Sequence, residues 1–245
     1  MVQNEVDMYN RVYTEFKEYR EACRVSCHQL DKAERKVRGV MRTFGISSLQ
    51  GAEILDVGCG LGYFSESLRR QGANVTALDN SSVAVDLVRE AFPEVEPKFG
   101  SFPEDATGEG KYDLIWACDF AGLNHFDVDT MCQEFFRPAL KLLSSDGVLV
   151  VGWRSNFGGT MGDSHWAHWS LPMIKELKRK TGLTGPRAVP FSGALTSLGL
   201  VYLSKSLKRS IPIFFSMNRS ASVDDLASRP VHRSKFIVEK SGSLE

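Results

Sequence analysis

A chain of 245 residues, 42% hydrophobic and 24% charged, is long enough for one sizeable α/β core with additions. Its formal net charge of zero gives no overall pull toward nucleic acid, and no apolar run approaches the ~20 residues of a membrane span. Five cysteines, odd in number and without a CxxC pair, argue against a disulfide framework or a zinc site, so no metal is expected and a reducing cytoplasm is the expected compartment.

The opening residues are charged and helical in pattern, unlike a signal peptide. Residues from about 4 to 44 read as two or three helices, with Val6, Tyr9, Val12, Tyr13 and Phe16 on one apolar stripe. Cys23 and Cys27 fall i, i+4 on a predicted helix, a spacing that suits core packing.

An apolar run, Ile54, Leu55 and Val57, then closes in three glycines at alternate positions, Gly58, Gly60 and Gly62. Residues 63–70 leave this turn with helical spacing. Glycines let the backbone turn tightly and approach a ligand where a Cβ would collide. A strand end facing a helix start is also where open α/β sheets bind ligands. A dinucleotide fingerprint would need its third glycine at position 63, which is Tyr63. Instead an acid, Asp56, stands two residues before the first glycine.

The next predicted strand, 74–79, ends in Asp79, 17 residues after Gly62, where an acid can accept both hydroxyls of a ribose. Asn80, Ser81 and Ser82 read as the N-cap of a following helix. Residues 97–104 read as a turn around Gly100, with Ser101 followed by Phe102, whose ring can make apolar or stacking contacts. A fourth strand, 111–119, ends in Cys118 and Asp119, and His125 follows six residues later. Residues 142–153 read as a Gly-containing turn and a fifth strand.

Beyond it, Arg154 opens a glycine-rich loop carrying His165, Trp166, His168 and Trp169. Such loops at the carboxyl edge of a sheet carry function. Ser170 and Pro172 mark the start of another helix. A sixth strand is expected near 187–190 and the last near 236–238. The residues between, 191–233, read as an insertion containing Ile211, Pro212, Ile213, Phe214 and Phe215 near Lys205, Lys208 and Arg209. An extra helix or hairpin, a substrate lid, a dimer contact or a membrane-surface patch all fit that composition. Charge is uneven: residues 46–174 hold eight Lys and Arg against eighteen Asp and Glu, and residues 175–240 hold thirteen against four. The basic part suits an anionic partner, or simply solvated helix faces.

In this order the glycine stretch with Asp56, then Asp79, the Gly100 turn, the strand ending in Asp119 and the Leu142–Trp153 turn and strand resemble the motifs of class I S-adenosylmethionine (SAM) methyltransferases. The resemblance covers about residues 50 to 190, and the layout is similar to the ubiquinone-type O-methyltransferases. It implies an α/β, doubly wound, mostly parallel seven-stranded sheet with helices on both faces. It also implies an N-terminal helical cap (1–45), a SAM-binding domain (46–243) carrying the 191–233 insertion, and a two-residue vector remnant (244–245).

The implied activity is transfer of a methyl group to a small-molecule acceptor, oxygen favoured over nitrogen, with S-adenosylhomocysteine as product. The acceptor would be glycan-, lipid- or quinone-like, and anionic or apolar. No membrane span is expected, though peripheral contact suits the insertion, and the oligomeric state is left open. A protein or nucleic-acid methyltransferase is the alternative, and a non-catalytic SAM-binding protein a third reading. Adenine N6 chemistry is disfavoured because Cys118, Asp119, Phe120 and Ala121 stand where the amino-methylating signature would be. Nucleic acid is not the expected partner.

The resemblance assigns cofactor contacts to Asp56, Gly58, Cys59, Gly60, Gly62, Asp79, Asn80, Ser101, Phe102, Cys118 and Asp119. Ser101 departs from the acid common after that glycine. His165 and His125 are candidate general bases, since imidazole can take a hydroxyl proton at neutral pH; His125 lies two residues further along than the related pattern has it. Arg154, Trp166, His168, Tyr9 and Tyr13 are candidates for contact with the acceptor or the cofactor.

Overall fold

A computed structural model of the chain describes residues 6–15, 26–124, 127–155, 169–187 and 211–218. Five parallel strands form the body of the sheet: β1 (Glu53–Val57), β2 (Asn74–Asp79), β3 (Glu96–Phe99), β4 (Tyr112–Cys118) and β5 (Leu143–Ser155). Beyond β5 lie β6 (Thr184–Arg187) and β7 (Ile211–Asn218), giving the order β3-β2-β1-β4-β5-β7-β6. β7 runs antiparallel to both of its neighbours. The chain winds outward from β1 to β3, then restarts at β4 on the other side of β1. A crevice therefore opens at the carboxyl ends of β1 and β4, the switch point of such sheets.

Period-two alternation sorts the strand residues between two cores. Leu55, Val57, Ile115, Ala117, Leu149, Val151 and Trp153 face one core, closed by α5 (Val128–Met131), a π-helical turn (Cys132–Phe136), α6 (Arg137–Leu142) and α7 (Leu171–Thr181). Ile54, Val75, Ala77, Leu114, Trp116, Val148 and Val150 face the other. There α2 (Ser26–Phe44) contributes Val37 and Val40, α3 (Tyr63–Arg69) contributes Leu68 and α4 (Ser82–Ala91) contributes Val88. Burial on both faces explains the near-continuous apolar runs in β1, β4 and β5.

Local chemistry sets the helix starts as expected. Ser81 caps α4 by accepting the amide of Ala84 at 3.2 Å, and Ser170 caps α7 by accepting that of Met173 at 3.4 Å. Residues 6–15 form α1, whose half-buried side chains are Val6, Tyr9, Asn10 and Tyr13. Val12, expected on the apolar stripe, is 49% exposed, because position 12 falls on the outer side of the 6, 9, 10, 13 face.

Two further expectations change. The stretch at 211–215, read as part of an insertion, lies in the strand β7, which pairs along β5 from Val148↔Asn218 to Ser155↔Ile211. The sheet thus takes its antiparallel strand about twenty residues earlier than the expected 236–238, which lies outside the described residues. A run of Ile, Phe and Phe has β propensity whatever charges flank it, and an open β5 edge needs a partner. The turn expected before the fifth strand lies inside β5. Between the pairs Tyr112↔Leu143 and Leu114↔Val148 the β5 side carries extra residues, an irregularity that absorbs Ser144, Ser145, Asp146 and Gly147.

Candidate functional site

The crevice is about 460 Å³, counting space open to solvent, within the range of small-molecule sites. Val57 and Leu78 form its apolar floor at the ends of β1 and β2. One rim is Asp79, Asn80, Gly100, Ser101 and Phe102, the other is Asp119, Phe120 and Ala121, and Tyr9 and Tyr13 of α1 form a third side.

The glycine loop is shaped by what it must approach. Gly58, Gly60 and Gly62 all have left-handed φ, at 71°, 52° and 72°. A Cβ on Gly58 would stand 2.7 Å from Phe120 Cδ2, and one on Gly60 2.9 Å from the Tyr13 hydroxyl. One on Gly62 would stand 2.7 Å from Val88 Cγ2, so this third glycine serves the packing of α3 on α4. The amides of Gly58 and Cys59 donate to the Leu78 carbonyl at 2.8 and 3.1 Å, tying the loop to the end of β2.

Asp79 is 7% exposed and lines the crevice. Its Oδ2 accepts the Gly60 amide at 2.8 Å and its Oδ1 the Ser81 amide at 2.9 Å. Burial raises its pKa, while the amides of Ser81, Gly60 and Asn80 work the other way. These backbone amides hold the carboxylate plane in place, and its oxygens keep lone-pair capacity for a ligand hydroxyl.

Asp56 lies below the loop, 2% exposed, and accepts the Ser65 hydroxyl at 2.6 Å. Burial pushes its pKa up to about 7; the Ser65 bond opposes this and the charge of Asp79 adds to it. Burial, with the nearby Asp79, also raises the Tyr13 hydroxyl well above its ordinary value. At the far rim Asp119 adopts a left-handed φ of 54°, a conformation Asp tolerates better than most residues, and its amide donates to Gly152 at 2.9 Å. This turn exposes the Asp119 side chain at the crevice while Phe120 is buried between Gly58 and Gly122.

Among the expected site residues, Gly58, Asp79, Asn80, Ser101, Phe102, Asp119, Tyr9 and Tyr13 are brought together on the crevice. Asp56, Cys59, Gly60, Gly62 and Cys118 are not on its lining. Cys59 and Cys118 belong to one of the cores because strand ends facing helices bury small side chains. His125, His165, Trp166 and His168 lie outside the described residues, and Arg154 is placed only as part of β5. Trp169 closes that loop: its Nε1 donates to the Leu123 carbonyl at 3.3 Å, and its ring lies 6.0 Å from that of Trp153.

Sequence reasoning missed Phe120, Ala121, Leu78 and Val57 as lining residues. An aromatic directly after a strand-ending acid was a usable signal for Phe120, whereas Leu78 and Val57 look like any core residue. Among the described residues no group of three or more His, Cys, Asp and Glu is gathered as for a metal ion, and no helix is long and apolar enough to cross a membrane.

The lining offers two acids, Asp79 and Asp119, and among the described lining residues no Lys, Arg or His. That charge rejects a pyrophosphate and favours a cationic ligand carrying hydroxyls and an apolar ring, as S-adenosylmethionine does.

Residues 54–147 match a family described as a methyltransferase domain. The ubiquinone biosynthesis O-methyltransferase of Xanthomonas oryzae pv. oryzae is 36% identical over 107 residues, 40% of this chain and 44% of that one. The malonyl-[acyl-carrier protein] O-methyltransferase of Acetivibrio thermocellus is 30% identical over 149 residues, 56% of this chain and 47% of that one. The chain thus spans less than half the length of these curated relatives. An S-adenosylmethionine-dependent methyltransferase from Mesorhizobium loti has a similar fold, with a TM-score of 0.53 at 18% identity over 77% of this chain and 99% of that one. The glycine loop, the Asp79 rim and the strand order are thus similar to those of class I, Rossmann-like S-adenosylmethionine-dependent methyltransferases, and residues 54–147 carry the match to the methyltransferase domain.

Proposed function

We propose that the chain catalyses methyl transfer from S-adenosylmethionine to an oxygen atom of a small-molecule acceptor. The observation that carries this reading is Asp79, fixed at the end of β2 by backbone amides that include those of Gly60 and Ser81, in a crevice whose described lining has no cation. When bound, the cofactor supplies an activated methyl group on a sulfonium.

Asp79 would hold the ribose hydroxyls, and Phe102 with Ser101 would flank the adenine at the β3 side of the crevice. Phe120 and the Gly58 backbone would bound the middle of the crevice, and Asp119 the end at β4. Tyr9 and Tyr13 would keep water from the reacting end, where exclusion strengthens every electrostatic contact. His165 or His125 would take the proton of the acceptor hydroxyl, and Arg154, Trp166 and His168 would hold the acceptor itself. Two O-methyltransferases among the relatives support oxygen over nitrogen, and the one from ubiquinone biosynthesis supports a quinone-like acceptor over a glycan- or lipid-like one.

Calorimetric titration with S-adenosylhomocysteine tests the reading. The wild type is expected to bind at micromolar concentration, and Asp79→Ala at least about 100-fold more weakly, since one charged group holding two hydroxyls contributes roughly 3 kcal/mol. A folded wild type that takes up no ligand overturns the proposal.

A further inference from the structure

Most helical stability in proteins comes from tertiary packing of one face, so residues 6–15 of α1 owe their place to what that face docks against. The face it turns inward is narrow: Val6, Tyr9, Asn10 and Tyr13 are half-buried, while residues 7, 8, 11, 12, 14 and 15 are exposed. Three of those four inward side chains meet the crevice or its rim. Tyr9 and Tyr13 line it, with ring centroids 6.2 Å apart and nearly stacked. The Tyr13 hydroxyl fills the hollow over Gly60 that a side chain there would occupy.

Asn10 adds a specific bond to this packing. Its Oδ1 accepts the Ser81 hydroxyl at 2.6 Å. Ser81 is fully buried and already committed twice, as the cap of α4 through Ala84 and, by its amide, as a partner of Asp79. Asp79 in turn holds Gly60. A continuous hydrogen-bonded chain, Asn10–Ser81–Asp79–Gly60, therefore joins α1 to the acid and the loop that shape the crevice.

We propose that Asn10 is the positioning residue that latches α1 against the cofactor crevice, so that ligand exchange requires the Asn10–Ser81 bond to open. The inference rests on the methyltransferase reading of the crevice. Docking of the helix and filling of the crevice share the two tyrosines as a common wall. A ligand beneath them gives those rings a floor, and a docked helix in turn slows the ligand's escape; the linkage is reciprocal.

The experiment is the dissociation rate of S-adenosylhomocysteine by competition, together with amide hydrogen exchange over residues 6–15, on the full chain. Asn10→Ala is expected to speed dissociation roughly 3- to 10-fold, the worth of one hydrogen bond, and to speed exchange in α1 without ligand. Asn10→Asp, which keeps the acceptor for Ser81, should restore the slower rates, and Val12→Ala, on the exposed face, should match the wild type. Ligand should slow exchange of residues 6–15 in the wild type.

If the wild type binds, and Asn10→Ala matches it in dissociation and exchange, the latch is overturned and the methyltransferase reading stands. If the wild type binds nothing, that reading falls and takes the latch with it. Faster exchange in Asn10→Ala without faster dissociation also overturns the latch, leaving only a structural bond.

Discussion

Asp56 is held 2% exposed beneath the glycine loop, facing the Ser65 hydroxyl, with Asp79 and Cys59 nearby and no cation among the causes of its shifted pKa. Its folded pKa of about 7 lies above the ~3.9 of an unfolded chain. The folded state therefore binds the proton more tightly, and the contribution of Asp56 to stability falls as pH rises from about 4 to about 7. Asp79 is shifted in the same direction. Asp56→Asn keeps an acceptor for Ser65 and removes the charge. Urea unfolding should show a flatter profile for the variant, with the gap in its favour widening by on the order of 2–4 kcal/mol between pH 4 and pH 8. Parallel profiles would mean that Asp56 is ionised throughout. The position of this acid was legible from its spacing to the glycines. Its burial was not, because Ser65 was just one polar residue of a helix until folding brought it over the strand end. Phe120 shows the same limit, since only the left-handed turn at Asp119 places its ring against Gly58.

Elements were read best where their periodicity was pure. The strands through Asp79 and Cys118 and the caps at Ser81 and Ser170 follow from local chemistry alone. β7 does not, because its partners, β5 and β6, come from other parts of the chain and local sequence names neither. Its central position yields a direct check. Ser216 pairs with Val150 on one side and with Thr184 on the other. A proline there loses an amide and sits within a strand flanked on both sides, a place the sheet does not tolerate. Ser216→Pro should cost about 3 kcal/mol or more in chemical denaturation. A loss below 1 kcal/mol would return the 211–218 segment to the surface insertion that its flanking charges first suggested.

At the scale of the whole molecule, the crevice is assembled from pieces far apart in sequence: α1, the ends of β1, β2 and β4, and the turn after β3. The two cores share β1, β4 and β5, with alternate residues of each strand serving each core. A ligand seated at that junction therefore stabilises a sheet that both cores need, so the described fold should melt as one unit and move as one. At 100 times its Kd, S-adenosylhomocysteine should add about 2.7 kcal/mol. For a chain of this length that raises Tm by roughly 5–10 °C, and the rise should vanish in Asp79→Ala. Differential scanning calorimetry reads both the size and the unity of the shift. A single transition that rises as a whole fits a sheet coupled through its shared strands. Two transitions, of which only the earlier moves, would show that the glycine-loop half of the sheet binds ligand and unfolds without the half built on β5, β7 and β6.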